Sequence, residues 1–152
     1  MQSLLSPVLS TSLYFIVFGS VIGGYVQKID GISYGSYIVP GLLMLTLLTQ
    51  SISNTSFGIF FPKFNGTIYE ILAAPISTLE IVLAFVGAGA TKTLIVGLMI
   101  FLTSTFFVEV EVKFPLLMIF LLVLVSFTFA LFGFLIGLMS SNFEQMSIIP
   151  SL

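Results

Sequence analysis

The side chains in this sequence that could do chemistry are few, and their placement is unusual. Ten residues carry charge, four lysines and six acids. They fall as Lys28 and Asp30, then Lys63, Glu70 and Glu80, then Lys92, then Glu109, Glu111 and Lys113, and last Glu144. Histidine and cysteine are absent. Their absence removes the usual general base, the thiolate nucleophile, any disulfide and the commonest metal ligands, and no metal site is expected. One aspartate and no histidine also make an intramembrane protease unworkable. GAGATKT at 87–93 has glycines near a lysine, but it lacks the glycine directly before that lysine and follows no strand. It is not read as a phosphate loop, and its small residues mark close helix packing. What remains is structural electrostatics. Thr67-x-x-Glu70 and Ser77-x-x-Glu80 each have the spacing of a capping box, in which hydroxyl and carboxylate satisfy backbone N–H groups at a helix start.

The elements that must hold these residues follow from the charge-free stretches. These are 1–27, 31–62, 81–108 (interrupted only by Lys92) and 114–143. A charge near the bilayer centre costs about 2.5–3.5 kcal/mol on insertion scales. A helix needs about 20 mostly apolar residues to cross the hydrocarbon core. Hydrophobic residues make up 58% of the chain and charged residues 7%, far below the charge that covers a water-soluble surface. The expected fold is all-α: a polytopic transmembrane helix bundle with spans at about 4–26, 37–60, 80–108 and 115–138 and a fifth from about 148. A single membrane domain then fills 1–152, with no separate soluble domain. A cleaved signal at 1–27 fits poorly, because no Lys or Arg precedes Lys28 and the apolar run is too long. The net charge of −2 gives no reason to expect nucleic acid as a partner.

Within the spans, Gly19 and Gly23, and again Gly133 and Gly137, stand four residues apart, a spacing that lets helix backbones approach in lipid. For the first pair the frequency of glycine in membrane helices is an equal explanation. The second span carries Gln50, Ser51, Ser53, Asn54, Thr55 and Ser56. They face either other helices or a water-accessible path, with Gln50, Ser53 and Asn54 the candidates for the path. Lys92 is expected to snorkel to the headgroups. Asn54-Thr-Ser and Asn65-Gly-Thr lie at membrane depth or in the interfacial segment and are not read as glycosylation sites.

The segment 61–79 differs from its surroundings. Phe64, Ile68, Ile71 and Leu72 recur at helical spacing, with Lys63, Thr67 and Glu70 off that face. Pro75 disfavours helix at Ala74. The pattern predicts a short amphipathic helix over 64–75, started by the Thr67 box and lying in the membrane interface. A plain surface connector is the other reading. Lysines do not orient the chain: Lys28 and Lys113 fall on one side, Lys63 on the other, and Lys92 is ambiguous.

YIVPGLL at 37–43, GTIYEILAAPIS at 66–77, Glu80-Ile-Val, and SLYFIVFGSVIG at 12–23 together resemble the permease subunit of type-2 ATP-binding-cassette exporters. The resemblance covers nearly the whole chain in order. It implies a sequence incomplete at both ends, with IIPSL at 148–152 opening a further span. It implies a multi-pass protein of the bacterial inner membrane, with 61–79 and 140–147 cytoplasmic and 27–36 and 109–113 outside. It also implies a transport subunit rather than an enzyme, binding no cofactor itself, with ATP used by a partner ATPase, and a second permease copy completing the path, as in a homodimer. The segment 61–79 then becomes the cytoplasmic coupling helix, with Phe64, Tyr69, Glu70, Leu72 and Pro75 against the ATPase and Glu80 setting the start of the third span. A secondary transporter is the main rival, but it needs a coupling acid inside the membrane, and every acid here sits at a span end or in a loop. A non-catalytic membrane assembly subunit is the other alternative.

Overall fold

Uncharged runs of this length can satisfy their backbone in lipid only by closing hydrogen bonds within each segment, and helices result. The computed structural model describes residues 2–21, 28–29, 32–107 and 111–151. Six helices lie among them: α1 (Gln2–Val21), α2 (Tyr34–Asn65), α3 (Ile68–Ala73), α4 (Thr78–Phe107), α5 (Pro115–Met139) and α6 (Phe143–Ser151). Two-residue strands β1 (Lys28–Ile29) and β2 (Ile32–Ser33) pair antiparallel between α1 and α2. α2 begins at Tyr34 rather than at about 37. The end of the first predicted span, Gly23 and the acids Asp30 and Glu109 lie outside the described residues.

α4 and α5 are long and apolar enough to cross a membrane. α1 carries a shorter apolar stretch, Leu5–Phe18. α2 has 32 residues, about 48 Å at 1.5 Å per residue, which exceeds a hydrocarbon core of about 30 Å. Its run from Gln50 to Ser56 makes it the more polar of the long helices.

The chain forms two compact units. One comprises Met1–Leu47 and Ile95–Ile119. Its core is Phe15 of α1, Val39 of α2 and Val96 and Ile100 of α4, with Val8 and Leu42 against them. Pro7 lies within α1 near its start, where a missing N–H matters least. Gly97 is buried, and a Cβ there would come within 2.7 Å of the Leu47 side chain. The Thr11 and Thr46 hydroxyls lie 3.5 Å apart.

The other unit comprises Leu48–Leu94 and Phe120–Leu152. Ile59 of α2, Val86 and Ala90 of α4, and Ala130 and Phe134 of α5 form its core, joined by Ile68, Val82 and Phe85. A seam of small residues makes this packing close. A Cβ on Gly133 would lie 2.6 Å from the Ile52 carbonyl oxygen, and one on Gly137 would lie 2.7 Å from the Ser56 carbonyl. These obstacles are backbone, so neither position has room for a larger side chain without parting α2 from α5. Gly89 of α4 also packs closely on α2, there against the Thr55 side chain. Gly19 lies within α1.

The greatest departure from expectation is at 61–79. The predicted helix over 64–75 is split. α2 continues through Lys63 and Phe64 to Asn65, Gly66 turns at φ +80°, and only Ile68–Ala73 forms α3. Lys63 and Phe64 fit the period of either helix, and the turn at Gly66 is what separates α2 from α3. Two further boundaries shift: α4 starts at Thr78, and α6 starts at Phe143 rather than near 148.

Candidate coupling site

α3 is six residues long, too short to be stable by propensity alone, so its neighbours must hold it. Gly66 adopts a left-handed backbone, a conformation that costs an L-residue about 1–2 kcal/mol and glycine nothing. The chain reverses there, and the Tyr69 N–H donates to the Gly66 carbonyl at 3.2 Å. Ala74 is extended, with φ −68° and ψ 147°, as the following Pro75 requires. Ile68 packs on the core beside Val82 and Phe85. No residue of α3 is buried. Tyr69 is 74% exposed and Leu72 63%, and Glu70 is exposed with them in the first turn, where a carboxylate favours the positive helix end.

The two capping boxes diverge. Thr67 has helical backbone angles and its hydroxyl makes no cap hydrogen bond, so the expected Thr67–Glu70 box is not formed. A capping residue takes extended backbone, and the turn at Gly66 leaves Thr67 in helical geometry instead. Ser77 and Glu80 do form theirs. The Ser77 N–H donates to Glu80 Oε2 at 3.0 Å, and the Glu80 N–H donates to Ser77 Oγ at 3.3 Å. α3 is thus bounded by a glycine turn on one side and by Pro75 and a capped α4 on the other.

Phe64 is not part of α3. It occupies the last turn of α2, 66% exposed, with its ring stacked on Phe60 at 6.2 Å. It therefore stands beside α3 in sequence, across the Gly66 turn, and the predicted single face from Phe64 to Leu72 is broken there.

The polar run of α2 sorts into two faces. Ser51 Oγ donates to the Ser126 carbonyl at 3.2 Å and Ser56 Oγ to the Gly133 carbonyl at 2.8 Å. Ser51, Thr55 and Ser56 are buried, and these bonds join α2 to α5. Interhelical bonds of this kind contribute about 0.6 kcal/mol each on average. Gln50, Ser53 and Asn54 are half-buried. Three buried polar atoms have no hydrogen-bond partner among the described residues: Asn54 Nδ2, Thr55 Oγ1 and Ser126 Oγ. Lys92 is half-buried within α4.

Sequence reasoning missed two residues. Lys63 Nζ donates to the Leu138 carbonyl at 2.7 Å and to the Ser140 carbonyl at 3.0 Å. Phe143 lies edge-on to Phe60, Phe61 and Phe64. Neither contact carries a local signal, since the partners are more than 70 residues apart. The one available hint was a lysine at a span end.

The description "ABC-2 type transporter" matches residues 1–152. The chain is 37% identical over 150 residues to the inner membrane transport permease YadH of Escherichia coli strain K12. The same identity and length hold for the inner membrane transport permease YadH of Shigella flexneri. Each alignment covers 99% of this chain and 59% of the relative, so the chain spans somewhat over half of the length of these permeases. No solved structure matches it. On the full-length match and on these relatives, the chain belongs to the ABC-2 type transporter family.

Proposed function

We propose that the chain is the membrane-spanning part of a permease subunit in an ATP-driven exporter of the bacterial inner membrane. A separate ATP-binding-cassette ATPase supplies the hydrolysis, and a second permease copy completes the path. α1, α2, α4 and α5 are the four spans of one membrane domain, α6 opens a fifth, and 61–79 faces the cytoplasm. The family supports this reading, and so does the name of its relatives, inner membrane transport permease.

The observation that carries the mechanism is α3. It is a short helix with Tyr69 and Leu72 outward, tied to two long helices by a glycine turn and a formed capping box. A surface with Tyr69 and Leu72 presented to water and Glu70 between them suits a groove on another protein. Force applied there reaches α2 through Gly66 and α4 through Ser77–Glu80. Pro75 keeps α3 and α4 from merging into one helix, so α3 moves as a separate lever. Gln50, Ser53 and Asn54, the half-buried face of α2, line the path.

The described acids stand where a transport subunit without ion coupling would keep them. Glu70, Glu80 and Glu144 lie in the first turns of α3, α4 and α6, and Glu111 lies between α4 and α5. A proton- or sodium-coupled carrier needs an acid within its spans.

The test uses the full-length permease reconstituted with its ATPase. Leu72→Asp is expected to lower permease-stimulated ATP hydrolysis by about tenfold, the loss of one buried apolar contact of about 1.5 kcal/mol. Full stimulation by both Leu72→Asp and Glu70→Lys removes the coupling assignment.

A further inference from the structure

Lys63 and Phe143 take no part in the reading above, yet both act on the turn that joins α5 to α6. The Lys63 ammonium donates to the carbonyls of Leu138 and Ser140, at 2.7 and 3.0 Å. Carbonyls at a helix end lack an intrahelical partner, and that end of the helix is negative. Phe143, the first residue of α6, sits with its ring 4.7 Å from that of Phe60 and 5.2 Å from that of Phe64, both edge-on. Both of these rings belong to the last turns of α2. The turn itself is stiff. The Ser141 N–H donates to Gln145 Oε1 at 3.1 Å, the Met146 N–H donates to the Asn142 carbonyl at 3.3 Å, and Met146 is buried.

One end of α2 therefore holds the end of α5 by a charge-assisted pair of hydrogen bonds and the start of α6 by aromatic contact. Directly after that end, the chain turns at Gly66 into α3. We infer that Lys63 and Phe143 form a clasp through which displacement of α3 is passed, by way of the end of α2, to the α5–α6 turn. Lys63 is a positioning residue: it touches neither a transported molecule nor the ATPase, and acts by making three helix ends move together. The ammonium suits this task because its donors can follow two carbonyls at once. The edge-to-face rings resist shear without fixing a charge in the interface. This inference rests on the reading of α3 as the coupling lever.

The experiment uses the full-length permease with its ATPase in proteoliposomes, in a cysteine-free background. Spin labels at Ala73→Cys, the exposed last residue of α3, or at Glu144→Cys report displacement on ATP addition, and co-purification reports docking. In the unsubstituted background both labels are displaced. Lys63→Gln and Phe143→Ala are expected to keep co-purification and displacement at position 73, while displacement at position 144 falls about threefold, a coupling of the size seen between contacting residues. Lys63→Arg restores it. Should Lys63→Gln misfold, Phe143→Leu, which keeps the volume but loses the ring edge, is expected to show the same split in milder form. Unchanged displacement at position 144 in Lys63→Gln and Phe143→Ala overturns the clasp and leaves the coupling reading intact. Loss of co-purification in both, like that expected of Leu72→Asp, also overturns it, because the residues then act on docking. Absence of displacement at position 73 in the unsubstituted background overturns the coupling reading and the clasp with it.

Discussion

Thr67-x-x-Glu70 and Ser77-x-x-Glu80 carry the same pattern ten residues apart, and only the second forms a box. The difference lies in what precedes each. Ser77 follows Pro75, which interrupts the helix and leaves room for a fresh start. Thr67 follows Gly66, whose left-handed backbone has already turned the chain and delivers Thr67 in helical geometry. A capping side chain works only where the backbone ahead of it is extended. The start of α3 is thus set by a glycine and the start of α4 by side-chain hydrogen bonds, so the first is a conformational constraint and the second a polar latch.

That contrast orders the effects of substitution. Gly66→Val is expected to be the most damaging, since a β-branched residue there must take a left-handed backbone at a cost of about 1–2 kcal/mol or redirect α3. Unfolding in mixed detergent micelles reads the cost, and ATPase stimulation reads the misdirection. Ser77→Ala removes the hydroxyl that accepts the Glu80 N–H, and costs about 1 kcal/mol. Faster amide exchange at the first turn of α4 locates the loss. Glu80→Gln keeps an acceptor for the Ser77 N–H and loses only its charge, so a smaller change at the same amides is expected. Thr67→Ala removes no cap and is expected to leave stability and exchange unaltered. A Thr67→Ala effect as large as that of Ser77→Ala contradicts the distinction between the two boxes.

Much of this was legible in the residues. Charge-free runs located the long helices, because a buried charge in lipid is costly and a backbone in lipid must close its own hydrogen bonds. Gly133 and Gly137 announced close packing by their spacing, and Pro75 its helix end. Three things were not legible. The extension of α2 through Lys63, Phe64 and Asn65 was hidden because these residues fit the helical spacing of the short segment after the span as well as that of the span itself. Which serines of the 50–56 run face α5 depends on a partner 70 or more residues away. The Lys63 contact with the end of α5 is of the same kind, since only the fold brings a lysine to carbonyls 75 and 77 residues on.

The central claim is that α3 lies at the cytoplasmic face with its outward side chains free to meet an ATPase. Single cysteines at Tyr69 and Leu72 of the full-length permease, treated with a membrane-impermeant thiol reagent, test it most directly. Labelling in inside-out vesicles, absent in intact spheroplasts and blocked when the ATPase is bound, is the predicted result. Labelling from the periplasmic side, or none from either side because the segment is buried in lipid, contradicts it.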